Sequence, residues 1–257
     1  MPLIGINWSH GANKNGDKLC NTSLPENYYK NTGDKLIDLD NNEFFKFNPY
    51  VIHAADIHPN TLSRVERRSL WDYSIGNIDV FHCKTMAHQI CKKWGLEKCY
   101  LNSPRLYQFE NSYIYPKTLV INTTGTTQGT IPLFVLNHIR EVYKDYLTFQ
   151  IGNKNDVDAG ADLDRRGCTW LESAKIISES EIIITVDSFC YWLAKCFGKV
   201  KRKIILINKS EERCENFFPR GSDHKDNPFD TWIEMDGSEF FNVFQDDYGV
   251  TKSYLSI

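Results

Sequence analysis

The stretch Cys168-Thr-Trp-Leu-Glu-Ser-Ala-Lys-Ile-Ile-Ser-Glu-Ser-Glu-Ile-Ile-Ile-Thr-Val-Asp187-Ser188, continued by Phe189-Cys-Tyr-Trp-Leu-Ala-Lys-Cys-Phe-Gly198, decides the fold. It predicts helix, buried strand, ligand turn, helix. Ile182 to Val186 is β-branched and apolar, too short for a helix, and it ends on Asp187-Ser188, the residue types that cap a following helix. A helix that starts at the carboxyl end of a parallel strand offers freed backbone N–H groups to an anion, so a nucleotide-bearing ligand is expected at this turn.

The same alternation extends in both directions. Thr118 to Asn122 predicts a buried strand, Thr123 to Thr130 a loop, and Pro132 to Tyr143 an amphipathic helix with proline in its first turn. Leu147 to Ile151 is the next strand, Gly152 to Gly160 a polar loop, Leu171 to Glu179 a helix, Tyr191 to Phe197 a helix and Ile204 to Ile207 a final strand. Toward the N-terminus, Leu3 to Trp8 reads as a strand and Ser9 to Asp17 as a loop rich in glycine and asparagine. Lys18 to Asn31 carries helix formers interrupted by Pro25, Lys35 to Leu39 is a second strand, and Asn48-Pro49-Tyr50 is a turn.

Pro49 to Ile78 shows little periodicity. Phe81, Met86, Ile90 and Trp94 then mark one face of a helix over 80–94, closed by Gly95. Ser103 to Pro116 is an irregular, aromatic-rich connector. The strand, loop and helix that follow copy the opening of the chain, which predicts two α/β domains with mainly parallel sheets, 1–117 and 118–257. The cleft between them is the expected ligand site.

Composition narrows the partners. Hydrophobic residues make up 41% of the 257 and aromatics 13%, ample core material for a globular protein. Thirty basic against 33 acidic residues give a net charge of −3, which exerts no strong pull toward nucleic acid or anionic membrane. The eight cysteines contain no C-x-x-C pair, so zinc is not expected and reduced, mostly buried thiols are. No window has the length and apolarity of a membrane span and no secretion signal precedes the first strand, so the expected compartment is the cytoplasm, at most at the periphery of a membrane surface.

Several short motifs then fall in one order. Gly16-Asp17-x-Leu19, Lys35-Leu36-Ile37-Asp38, Phe45-Lys46-Phe47-Asn48-Pro49-Tyr50-Val51, Trp94-Gly95-Leu96 and Pro104-Arg105-Leu106-Tyr107 occupy the N-terminal half. Gln150-Ile151-Gly152, Asp164-Arg165-Arg166-Gly167-Cys168-Thr169, and Val186-Asp187-Ser188 with Leu193-Ala194 and Gly198 occupy the C-terminal half. In this order they resemble glycosyltransferase family 9, the ADP-heptose heptosyltransferase-like enzymes of the GT-B superfamily. The resemblance spans roughly residues 10 to 210. It implies two Rossmann-like domains facing across a cleft, with a nucleotide-sugar donor, the sole co-substrate and not a cofactor, held mainly by the C-terminal domain. It further implies that Asp17, in Gly16-Asp17, is the base, and that Asp156 contacts the nucleoside ribose. Two departures stand out. The family writes Asp-Ser-Gly-Pro-x-His where this chain has Asp187-Ser188-Phe189-Cys190-Tyr191-Trp192, and Thr126-Thr127-Gln128 replaces a basic residue.

Each candidate also has an ordinary reading. Asp17 suits a base that takes the acceptor hydroxyl's proton, and equally a cap on a helix starting at Lys18. Thr123, Thr124 and Gly125 suit a diphosphate, or a polar turn after any parallel strand. Asp187 and Ser188 stand at the equivalent strand end, and Trp192, in the place of the family's histidine, supplies a ring and one N–H donor. Asp156 competes with Asp158 and with the role of a solvated loop acid. Arg165 and Arg166 suit phosphate, or pairing with Asp162 and Asp164. The cluster from Lys199 to Lys203 suits a phosphate backbone or a solvated face. His53, His58 and Asp56, like His82 and His88, lack ligand spacing, so no metal site is predicted. No G-x-S-x-G elbow is present.

The resulting expectation is a metal-independent, inverting glycosyltransferase acting on a hydroxyl acceptor. A glycan or lipid-linked acceptor is favoured over a modified DNA base, with no integral membrane contact. The alternative is a non-catalytic nucleotide or nucleotide-sugar binding protein of GT-B descent.

Overall fold

A computed structural model of the chain describes residues 3–7, 15–69, 86–125, 129–186, 188–197, 200, 202–208, 230–235, 240–241 and 254–255. The chain divides into two compact units, Met1–Glu110 and Asn111–Ile257.

The first unit is built on four parallel strands, β1 (Ile4–Asn7), β2 (Leu36–Asp38), β3 (Val51–His53) and β4 (Glu66–Ser69), in the order β3-β2-β1-β4. The chain therefore runs outward on one side of β1 and returns on the other. Between β1 and β2 lie α1 (Asn15–Cys20), a 3-10 turn (Asn21–Ser23) and α2 (Leu24–Thr32), rather than one helix over 18–31. Pro25 explains the break. It sits in the first turn of α2, where a missing backbone N–H leaves no helical bond unmade, and Gly33 closes the helix in the left-handed conformation at φ +81°.

Strands β3 and β4 fall in the segment where periodicity was poor, for a physical reason. β3 is three residues long, and Glu66, Arg67 and Arg68 of β4 are exposed, so neither writes an apolar run. A short α3 (Pro59–Leu62) precedes β4, and α4 (Met86–Lys93) packs on α2, with Trp94 edge-on to Tyr28 at 6.2 Å. Buried polar side chains fasten the segment after α4 and the start of the connector to the helices. Asn27 Oδ1 accepts from the amides of Tyr100 (2.7 Å) and Leu101 (2.9 Å), and Thr22 Oγ1 from that of Arg105 (2.9 Å).

The second unit carries a fully parallel six-stranded sheet. Its strands are β5 (Tyr115–Asn122), β8 (Leu147–Ile151), β9 (Leu163–Asp164), β10 (Ser180–Val186), β11 (Arg202–Asn208) and β12 (Asp230–Met235), in the order β12-β11-β10-β5-β8-β9. A small antiparallel hairpin, β6 (Thr124–Gly125) and β7 (Gly129–Thr130), follows β5, and β13 (Phe240–Phe241) pairs with β14 (Tyr254–Leu255). The helices are α5 (Leu133–Val142), α6 (Trp170–Ser178) and α7 (Phe189–Lys195).

Ile204 to Ile207 is thus not the last strand, as the sequence suggested. β12 extends the sheet beyond it, and its apolar pair Trp232-Ile233, set between Thr231 and Glu234, is too short to stand out. Numbered in chain order without the hairpins, the six strands read 3-2-1-4-5-6 from the β9 edge, the order of doubly wound nucleotide-binding sheets. β10 is buried on both faces, Ile182, Ile184 and Val186 joining α5 residues Val135, Leu136 and Ile139 in the core.

Candidate functional site

In a doubly wound sheet the strand order reverses at one point, and the loops there diverge to leave a crevice at the carboxyl ends. In the second unit that point lies between β5 and β10. The two strand ends are tied by buried polar groups. Asn122, the last residue of β5, is 2% exposed, and its Oδ1 accepts from Ser188 Oγ at 2.9 Å and lies 3.0 Å from Thr185 Oγ1. Ser188 is also the cap of α7, accepting from the Cys190 amide at 3.2 Å. One asparagine thus fixes the start of the turn on the far side of the switch point.

The loop after β5 is equally ordered. Thr123 is fully buried, and its hydroxyl donates to the Val157 carbonyl at 2.9 Å while its own carbonyl accepts from the Ile131 amide at 2.8 Å. Thr124 is half-buried with its hydroxyl 3.2 Å from that of Thr130, and Gly125 is buried opposite Gly129 in the hairpin.

The loop after β8 closes the third side. Gln150 Nε2 donates to the Val157 carbonyl at 2.6 Å and its Oε1 accepts from the Ala159 amide at 2.7 Å. Asp156, 8% exposed, accepts from the Asn153 amide at 2.8 Å. Gly152 turns at φ +130°, and a Cβ there would run into Asp156 Oδ2 and come within 2.8 Å of Asn122 Nδ2. Glycine is required at that position. Asp156 is therefore a loop-closing carboxylate in this structure, not a solvated one.

Arg166 is held by its neighbours. Its guanidinium donates to Asp164 Oδ1 (2.9 Å) and Oδ2 (2.7 Å) and to the Asp156 carbonyl (2.6 Å), with Asp158 at 3.8 Å. That guanidinium, hydrogen-bonded first of all, holds the Asp164 carboxyl down at about 2. Asp162 takes a different partner, accepting from the Thr148 amide at 2.9 Å. An anion at this edge would be met chiefly by backbone amides and hydroxyls, with Arg166 already engaged.

The remaining sequence candidates fall elsewhere. Trp192, 7% exposed, stacks at 5.1 Å and a tilt of 54° against Tyr191 within the buried face of α7. Asp187 lies outside the described residues. Gly16 and Asp17 occupy the second and third positions of α1, so Asp17 lies inside that helix and not ahead of it. Lys203 is 1% exposed and donates to the Val200 carbonyl at 3.3 Å, so this member of the basic cluster is in the core. Among the described residues no group of three or more His, Cys, Asp or Glu could hold a metal, no helix is long and apolar enough to cross a membrane, and six cysteines are free thiols.

Asn122 and Thr185 join the candidate site without having been singled out in the sequence, and Gln150 was noted only as part of Gln150-Ile151-Gly152. The available signal was a polar residue at or near the end of each apolar strand, in Thr118-Leu-Val-Ile-Asn122, Leu147-Thr-Phe-Gln-Ile151 and Ile182-Ile-Ile-Thr-Val186.

No protein-family model matches the chain. No curated protein matches it either. Solved structures do. An iron-containing dodecameric glycosyltransferase, TibC, from enterotoxigenic E. coli superposes with a TM-score of 0.59 at 15% identity, over 80% of this chain and 57% of that one. A family 9 glycosyl transferase from Veillonella parvula gives 0.57 at 12% identity over 92% of this chain and 86% of that one. ADP-heptose LPS heptosyltransferase II of E. coli gives 0.56 at 12% identity over 94% and 91%. The chain spans little more than half the length of TibC. What these proteins share with this chain is the fold, two parallel-sheet α/β units of the GT-B type.

Proposed function

We propose that the chain binds a nucleoside-diphosphate sugar at the carboxyl edge of the second-unit sheet and transfers the sugar to a hydroxyl acceptor. The observation that carries this reading is the joint at Asn122. It holds the turn at Ser188 in place beside the Thr123–Gly125 loop at the point where nucleotides bind in doubly wound sheets. The kinship in fold adds the donor class, since TibC was solved with ADP-D-β-D-heptose. An ADP-sugar is the first donor to test.

In this reading the donor's diphosphate lies along Thr123, Thr124, Gly125, Asp187 and Ser188, and the ribose lies near Asp156. Trp192 contributes from beneath the turn by packing. Asp17 is the proposed base. It takes the acceptor's proton as the hydroxyl oxygen attacks the anomeric carbon and the nucleoside diphosphate leaves with the bonding electron pair, an inverting displacement that needs no metal. The net charge of −3 favours a glycan or lipid-linked acceptor over DNA.

A thermal-shift screen with ADP, UDP, GDP, CMP and TDP tests the donor site, because a ligand that binds only the folded chain raises its melting temperature. ADP at a hundredfold excess over its Kd would stabilise the fold by about 2.7 kcal/mol. No shift from any of the five removes the donor site. Turnover of a nucleotide-sugar panel by wild type and by Asp17→Asn tests the chemistry, and equal rates for the two exclude Asp17 as base.

A further inference from the structure

The carboxyl ends of the first-unit strands hold a second constellation of polar side chains. β2 ends at Asp38 and β3 at His53, and the two residues are direct register partners. Asp38 is 1% exposed, yet it is a carboxylate at the end of an apolar strand. Its Oδ2 accepts from the Asn42 amide at 2.6 Å, its Oδ1 from the Asp40 amide at 3.2 Å, and His53 Nδ1 lies 3.5 Å from Oδ2. The His53 side chain is 26% exposed. At 3.5 Å this is a charge contact, longer than an ordinary hydrogen bond, that sets the Nδ1 edge of the ring nearest the carboxylate and leaves Nε2 on the edge farther from it.

Two explanations compete. Asp38 could do no more than organise the turn over 39–42, for which the two amide bonds suffice. That account leaves the histidine without a purpose. A carboxylate behind Nδ1 is the arrangement that fixes an imidazole in one tautomer, with Nε2 as an acceptor of defined direction. The other nearby histidine is not so placed, since His58 Nδ1 accepts from the Asn60 amide at 3.3 Å and caps α3. The location is also the carboxyl edge of a parallel sheet, at the ends of the two strands on the β3 side of β1, where loops of α/β sheets carry ligands.

We propose that Asp38 and His53 form a hydroxyl-binding subsite, in which Asp38 orients the ring and His53 Nε2 accepts a hydrogen bond from a sugar hydroxyl. Given the sugar transfer proposed above, on which this rests, the ligand class is a polyhydroxylated acceptor. The pair binds and positions it, and no proton is transferred. A neutral hydrogen bond is worth about 1–1.5 kcal/mol, or roughly a tenfold change in affinity.

The test titrates wild-type protein, His53→Phe, His53→Gln and Asp38→Asn with the p-nitrophenyl glycosides of glucose, galactose and mannose. It reads the His53 ring nitrogens by 15N NMR and measures ADP binding separately by thermal shift. The expected result is an Nδ1–H tautomer in wild type that Asp38→Asn abolishes, and a glycoside that perturbs Nε2. Affinity for that glycoside falls about tenfold in His53→Phe and less in His53→Gln, whose amide oxygen can still accept, while the ADP shift is equal in all four proteins. An Nε2–H tautomer in wild type, no perturbation of Nε2 by any of the three glycosides, or unchanged affinity in His53→Phe overturns the subsite. A missing ADP shift in wild type overturns the donor reading alone, since the glycoside titration does not depend on it.

Discussion

Ser188 Oγ donates to Asn122 Oδ1 at 2.9 Å, joining residues 66 apart in sequence at the one place where the second-unit sheet reverses direction. The bond is largely shielded from water, with Asn122 buried and Thr185 Oγ1 against the same oxygen at 3.0 Å. Asn122→Ala should therefore take the acceptor from Ser188 Oγ, while Thr185 Oγ1 keeps the Val186 carbonyl at 2.8 Å, and cost about 1–2 kcal/mol in urea denaturation. Ser188→Ala removes a helix cap as well as the joint, and about 1–2 kcal/mol is expected. Both variants should weaken binding at the proposed donor site, and full retention of nucleotide binding in Asn122→Ala would detach this joint from that site.

Gly152→Ala should be worse than its single methyl group suggests. The backbone sits at φ +130°, and the added carbon meets Asp156 Oδ2 and Asn122 Nδ2 together. Strain of this kind costs on the order of 1–3 kcal/mol, and displacing Asp156 also frees the Asn153 amide it accepts from at 2.8 Å. The expected signature is a lowered urea midpoint together with faster proteolysis of the loop over 152–162. An unchanged midpoint would mean that the loop carries no such constraint.

The Thr123–Gly125 loop and Ser188 were legible because they follow apolar strands, and a strand end is a position that sequence can count to. Asn122 was not, since its role depends on Thr185 and Ser188 arriving from more than sixty residues away. The strand at Ile182 to Val186 announced itself by five consecutive apolar or β-branched residues, whereas β4, with Glu66, Arg67 and Arg68 exposed, carries no such run. Thr169 and Glu172 were legible in principle. They form a capping box at the start of α6, the Thr169 amide donating to Glu172 Oε2 at 2.8 Å, which places the first helical residue at Trp170 and not Leu171. Gly16 suggested loop at a place where α1 has already begun, because weak helix propensity is readily overridden by tertiary packing.

Acid should loosen the first unit through Glu26. Burial alone would raise the pKa of this carboxyl, but hydrogen bonds from Lys30 (2.6 Å) and Tyr107 (2.6 Å) and the charges of Lys30 and Arg105 outweigh burial and lower it. A carboxyl depressed in the fold contributes stability that is present above its unfolded pKa, about 4.5, and is lost as pH falls through the lower folded value. Glu26→Gln should therefore lower stability at pH 7 by about 1–3 kcal/mol, allowing for the exposure of its cationic partners, and should flatten the decline below pH 4.5. Parallel stability profiles for the two proteins between pH 7 and pH 3 would show that Glu26 carries no such linkage.

Thiol reactivity offers a separate reading of the two units. Cys99, half-buried in the segment that follows α4, is held below the usual thiol range by a hydrogen bond from Cys91, with its own Sγ 3.3 Å from the Leu101 carbonyl. Cys190, in the first turn of α7 just after the Ser188 cap, is pushed up to about 12 by burial. The thiolate is the reacting species, so at pH 7.5 Cys99 should be alkylated by iodoacetamide far faster than Cys190. Peptide mapping by mass spectrometry after brief labelling separates the two directly. Destabilising the switch point with Asn122→Ala should accelerate labelling at Cys190 and leave Cys99 unaffected, because Asn122, whose Oδ1 accepts from Ser188 Oγ, belongs to the same unit as Cys190 and Cys99 does not. Equal acceleration at both thiols would instead mean that the two units open together.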